Sequence, residues 1–138
     1  MTRPRILRAL SREQAYAYAR ALLFIFPQLL SRTSDGRIER ASRIVRSPIF
    51  PNHLPGCYEV PSESMIGTDA RRVIYIVDTL HRTCTCPDSA KGYICKHRLA
   101  VALSTHGPEA IRKLQKMRLS HEISSADFQE IIEGRYPA

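Results

Sequence analysis

Apolar positions in the first third of the chain recur at helical spacing. The stretch LSREQAYAYARALLFIF reads as a helix: Ser11 and Gln14 have the spacing of a capping box, and Leu10, Ala17, Ala21 and Phe24 form a stripe that ends before Pro27. Tyr16 and Tyr18 flank that stripe. SDGRIERASRIVRSP predicts a second, shorter helix with Ile38, Ala41 and Val45 inward, stopped at Ser47-Pro48. From Ile49 the helical period is lost. Prolines at 48, 51, 55 and 61 leave room for a short strand around Gly56–Val60. RRVIYIVDT is the strongest strand of the chain. Val73, Tyr75 and Val77 alternate with Ile74 and Ile76, so the pattern predicts that both faces are covered. GTD at 67–69 supplies the turn of a hairpin between the two strands. Further on, KHRLAVALSTH reads as a helix with Leu99, Ala102 and Leu103 on one side, stopped by Gly107-Pro108. PEAIRKLQKM reads as another, with Ile111 and Leu114 inward. SSADFQEIIEG reads as a last one, capped by Ser124 or Ser125 and closed by Gly134.

The order is helix, helix, hairpin, cysteine loop and three helices, which predicts an α+β fold: a small ββα module, hairpin plus helix, flanked by N-terminal and C-terminal α-helices. Three segments follow: a basic helical segment over 1–48, the cysteine-bearing module over 56–105, and a helical extension over 108–138.

Between the best strand and the next helix lies TCTCPDSAKGYICKHRLAVAL, in which Cys84, Cys86, Cys95 and His97 are arranged C-x-C-x8-C-x-H. Cys84 and Cys86 continue an extended segment, where residues two apart project from one face, so both sulfurs reach one point. Pro87, Asp88, Ser89 and Lys91-Gly92 carry turn chemistry that reverses the chain. Residues two apart on a helix do not face the same way. Cys95 and His97 therefore converge only if Cys95 lies at the helix start and His97 in its first turn. Three thiolates and a neutral imidazole complete a tetrahedral shell for Zn2+, and a filled shell leaves no position for an activated water, so the metal is expected to be structural. A Cys84–Cys86 disulfide would close a very small strained ring.

This order of ligands, after a strand pair and running into a helix, resembles the SWIM-type zinc finger, with Cys86-Pro87-Asp88 and Cys95-Lys96-His97-Arg98-Leu99-Ala100 as the neighbourhoods that carry the likeness over about residues 56–105. The resemblance implies a ββα zinc module with Cys84, Cys86, Cys95 and His97 as the ligands, and DNA binding or protein–protein interaction as its work. Modules of this kind stand beside transposases, chromatin-remodelling ATPases and ubiquitin ligases, and in short bacterial, archaeal and phage proteins. None of those enzymatic domains is legible here, so their activities do not carry over.

Composition changes the picture mainly through charge. With 43% hydrophobic and 25% charged residues the 138-residue chain is an ordinary globular sequence, but its formal charge of +8 points to anionic partners. The charge alternates by segment: +7 over 1–46, −3 over 47–69, +7 over 70–118 and −3 beyond. Arg37, Arg40, Arg43 and Arg46, recurring every three residues, together with Lys96 and Arg98, are the candidate nucleic-acid contacts, with DNA ahead of RNA. Lys91, Lys96 and Arg98 have a competing local role in offsetting the −1 charge of a Zn2+ bound to three thiolates. Arg112, Lys113, Lys116 and Arg118 form a second basic run. The alternative is an adaptor in which zinc stabilises a protein-binding surface without nucleic-acid binding, the acidic tail EISSADFQEIIEG docking a partner or folding back on the chain's own basic face.

Catalysis is not expected. The chain has no H-x-E with C-x-x-C, no H-E-x-x-H and no Gly-rich phosphate loop. Cys57, with His53 nearby, reads as a small hydrophobe of the first strand. His81 lies close in sequence to the cluster without belonging to its pattern, and His106 and His121 read as a helix-end residue and a surface residue. MTRPRILR followed by ALLFIF has the order of a secretory signal, but Arg20 interrupts it and no small-residue cleavage site follows. The expectation is a cytoplasmic protein, nucleoid-associated if it binds DNA, with reduced thiols and no membrane partner. The oligomeric state is left open, although the apolar ALLFIF helix could pack on a copy of itself.

Overall fold

The computed structural model describes residues 5–66 and 71–133. Helix α1 (Arg12–Ile25) begins with the expected box: Gln14 N–H donates to Ser11 Oγ at 3.1 Å, and Ser11 N–H to Gln14 Oε1 at 3.0 Å. A single 3-10 turn over Pro27–Ser31 leads to α2 (Asp35–Ile44), capped by Ser34, with Ile38, Ala41 and Val45 buried as the pattern predicts. Four antiparallel strands follow in the spatial order β1 (Phe50–Pro51), β2 (Cys57–Ile66), β3 (Arg71–Asp78) and β4 (Thr83–Cys84). A short α3 (Pro87–Ala90), a long α4 (Lys96–Leu119) and α5 (Ser125–Glu133) complete the chain. The α+β class, with a hairpin flanked by helices, is thus observed. Among the described residues no helix is long and apolar enough to cross a membrane.

In the β2–β3 hairpin Val60 pairs with Tyr75 and Tyr58 with Val77, so these residues share the face turned to the helices, where Val60 and Val77 are buried. The opposite face is open. Ile74 is 47% exposed, so the expectation that β3 is covered on both sides fails there, although Cys57 at the other end of the same face is buried. The expected turn at 67–69 lies outside the described residues except at its flanks.

Two further expectations are corrected. The core stripe of α1 is Ala15, Ala19 and Leu22 with Ala21, while Phe24 is 43% exposed. Small residues face inward because α1 lies between α4 and α5 and must approach α4 closely. The second correction concerns α4, which runs unbroken through Gly107-Pro108. An interior Pro costs about 3 kcal/mol and a Gly about 1. Against this, Leu99, Val101, Leu103, Ala110 and Leu114 all bury on one continuous rod, at about 1.5–3 kcal/mol for each large side chain. Packing therefore outweighs propensity. Gly107 has its own reason: a Cβ there would lie 2.5 Å from Tyr18 Cγ, so the crossing of α1 on α4 requires the missing side chain.

The acidic C-terminus folds back on the basic N-terminal helix. Arg20 Nε donates to the Ile131 carbonyl at 2.9 Å, neutralising the C-terminal end of α5, and Arg118 stacks over the buried Phe128 ring at 4.6 Å. Ser124 is the cap, its hydroxyl accepting Asp127 N–H at 3.0 Å. The expected closing Gly134 lies outside the described residues.

Substituting Gly107→Ala is expected to destabilise the protein by about 1–3 kcal/mol through overpacking against Tyr18. Helix propensity alone would stabilise by about 1 kcal/mol. The sign of the change in the urea midpoint decides between them.

Candidate metal centre

The site is assembled where the sheet edge meets the start of α4. Cys84 pairs with Val77 across β3–β4, so it shares the helix-facing side of the sheet. Two residues on, Cys86 is still extended (φ −75°, ψ 157°) and caps α3, its sulfur accepting Ser89 N–H at 3.4 Å. Cys95 (φ −75°, ψ 166°) caps α4 in the same way, with Arg98 N–H at 3.4 Å from its sulfur. His97 lies in the first turn of α4, its ring tilted against Tyr75 with centroids 4.7 Å apart. This is the arrangement that convergence of Cys95 and His97 demanded.

The four ligand atoms all lie within 4.8 Å of one another, against a ligand–ligand edge of roughly 3.8 Å for a tetrahedron with ~2.3 Å Zn–S bonds. Cys86, Cys95 and His97 are buried and Cys84 is half-buried. Neither ring nitrogen of His97 makes a hydrogen bond of normal geometry, although both are buried. A buried imidazole without a partner costs free energy, and a metal ion removes that cost. The donor set fits: soft sulfurs and an imidazole suit zinc.

The thiols are in electrostatic conflict. The Cys84 thiol, donating toward Cys95, holds the Cys95 pKa down to about 4 against the opposing effect of burial, with His97 and the Arg98 N–H helping. In return Cys84 is pushed far up, first by that same contact and then by burial, and burial also raises Cys86. One thiolate is tolerated at this spacing and three are not, unless a divalent cation joins them.

The ligand loop is tied to α2. Arg37 Nε and Nη2 donate to the two Asp88 carboxylate oxygens at 2.6 and 2.7 Å, and the same guanidinium stacks on Tyr93 at 4.2 Å. Arg37 holds the Asp88 pKa below the ordinary carboxylate value. On the far side Arg32 carbonyl accepts Ile94 N–H at 2.9 Å and Thr33 Oγ1 donates to the Ile94 carbonyl at 2.8 Å, fixing the residue before Cys95. Of the arginines singled out in sequence, Arg37 is therefore engaged within the chain. Arg40 and Lys96 line a cleft of about 470 Å3 over the cluster, together with Lys91, Tyr75 and Asp88. Arg43 lies 3.8 Å from Glu39, and Arg46 is exposed beyond the end of α2. Arg98 lines two other cavities, one between α1 and α4 and one beside Asp78 and Arg82. The role of Asp88 as anchor and the stack of Tyr75 on His97 were missed in the sequence, because both partners lie far away along the chain. Cys57 is buried at the start of β2, where burial and the Asp78 carboxylate raise its pKa, and it takes no part in the cluster.

Residues 66–106 match the family model described as the SWIM zinc finger, so the resemblance carried by the ligand spacing is upheld, with the match beginning later than residue 56. No curated protein and no solved structure matches the chain.

Replacing Arg37 by Met is expected to cost about 1–2 kcal/mol, since a bidentate, partly buried carboxylate pair is lost. The exposed Arg43→Met should stay within about 0.5 kcal/mol. Equal effects in thermal melts would show that the Arg37 pair anchors nothing. Chelation is expected to collapse the dispersed amide signals of residues 83–98 while native mass spectrometry records the loss of one ion per chain. An unchanged spectrum in the metal-free chain would contradict the coupling of site and fold.

Proposed function

We propose that the chain is a zinc-binding protein that contacts nucleic acid through the cleft over its Cys3His cluster. Cys84, Cys86, Cys95 and His97 hold the ion; when bound, it supplies a closed structural cross-link between the sheet edge and α4. With all four positions taken by protein, no hydrolytic role is assigned to it. The work of recognition falls to the side chains around it.

One observation carries this reading. Among the described residues lining the cleft Asp88 is the one carboxylate, and Arg37 pairs with it. Arg37, Arg40, Lys91 and Lys96 bring four formal positive charges to the described lining, against Asp88 and the single negative charge of a Zn2+ with three thiolates, so the lining carries a cationic excess. The cations come from α2, from the loop after α3 and from the first turn of α4, three elements whose relative positions the cluster and the Arg37–Asp88 pair set. Cations held in a fixed arrangement match the repeating charge of a phosphate backbone, and DNA is placed ahead of RNA.

Backbone binding of this kind weakens steeply with salt, with a log–log slope of about −0.9 per phosphate neutralised on duplex DNA. Changing Arg40, Lys91 and Lys96 together to alanine is expected to flatten that slope by up to about 2.7 while zinc content stays at one per chain. Fluorescence anisotropy of a labelled duplex across a salt series reads it. An unaltered slope would reject the cleft as the contact surface, and no binding even at low salt would reject nucleic acid as the ligand.

A further inference from the structure

A second cavity has the opposite chemistry. It is a groove of about 410 Å3 between α1 and α4 that shares no lining residue with the cationic cleft. Its α4 wall is a stripe at helical spacing, Leu99, Ala102, Leu103, His106, Ala110 and Lys113. The fourteen steps from Leu99 to Lys113, at 1.5 Å each, make that wall about 21 Å long, the length of a four-turn helix. Leu22, Leu23 and Phe26 form the facing wall, and Phe24, Phe26 and Leu30, 43–49% exposed, carry apolar surface out of the groove onto the rim.

Charge selects the occupant. Arg98 lines the groove at the end nearest the cluster and Lys113 at the other. Among the described residues Arg98 has no ion pair. Among the described residues Glu109 is the one carboxylate in the lining, and His106 Nδ1 stands 3.9 Å from it. A partly buried guanidinium above apolar walls calls for an incoming carboxylate. A second copy of the chain is a poor candidate, because the molecule is cationic overall and its acidic α5 is already packed on α1. Nucleic acid offers nothing to the apolar walls.

We infer that this groove docks an amphipathic helix of about four turns from a partner protein, apolar on the seated face and flanked by Asp or Glu. The apolar stripe of the partner lies between α1 and α4, and its acidic flank meets Arg98 and Lys113.

The test uses two synthetic peptides of about sixteen residues with the same leucine stripe, one flanked by glutamate and the other by lysine. Each is titrated into the full-length, metal-loaded chain and followed by 1H–15N NMR. The glutamate peptide is expected to shift amides along 99–113 and 19–26 and to bind at least about tenfold more tightly than the lysine peptide. Ala102→Arg, which fills the groove, should weaken it at least about tenfold with zinc content and melting temperature unchanged. Lys113→Glu, on an exposed helical position, should reduce the preference for glutamate and serves as the readout should Ala102→Arg fold poorly. The inference is overturned if neither peptide shifts those amides at about 1 mM, if both bind equally, if the free chain dimerises through the groove, or if sodium decanoate fills it and the glutamate peptide does not.

Discussion

Three sulfurs and an imidazole gathered in a protein interior are unstable neighbours unless a positive charge stands among them. Cys84 and Cys95 already contest one proton, the contact that pulls Cys95 down pushing Cys84 up, and the buried nitrogens of His97 have no proper partner. Everything on the sheet side of α4 is arranged around this conflict. Strand β4 is only two residues long, and α3 a single turn. Neither element is long enough to persist alone, so their order is borrowed from the cluster they complete.

The same constraint explains an inversion at the start of α4. Helix N-termini favour acidic residues, yet the first turn of α4 has none and holds Lys96 and Arg98 instead. The negative charge is supplied by Cys95, whose sulfur caps the helix and receives the Arg98 N–H. Once a thiolate occupies the cap, cations in that turn become favourable neighbours. The Cys95 sulfur lines the cationic cleft and also opposes the effect of burial on Arg98 at the groove, so one cap touches both cationic regions of α4.

Much of this was legible along the chain. Ser11 and Gln14 announced α1, the spacing of Ile38, Ala41 and Val45 gave the buried face of α2, and C-x-C-x8-C-x-H located all four ligands and required Cys95 at a helix start. These signals are local. What escaped depends on contacts between distant segments. Gly107-Pro108 reads as a stop until Tyr18 is seen to occupy the space a side chain would need. Phe24 reads as core until α5 and α4 claim the other faces of α1. Arg37 counted with its sister arginines as a phosphate contact, and it is Asp88, fifty-one residues away, that engages it. Periodicity ranks residues by face, but it cannot say which charged residue finds a partner inside the chain.

That last distinction decides how the basic charge should be weighed. A formal +8 overstates the surface available to ligands, because Arg37 is spent on Asp88, Arg20 on the end of α5 and Arg118 on Phe128. These three hold elements together: α2 to the ligand loop, α1 to α5, and α4 to α5. The other cations are sorted by location: Arg40, Lys91 and Lys96 line the cleft over the cluster, whereas Arg98 and Lys113 bracket apolar walls. A phosphate backbone needs cations without apolar surface, and an amphipathic helix needs both. The helix that carries the cluster at its first turn thus separates two kinds of surface along its length.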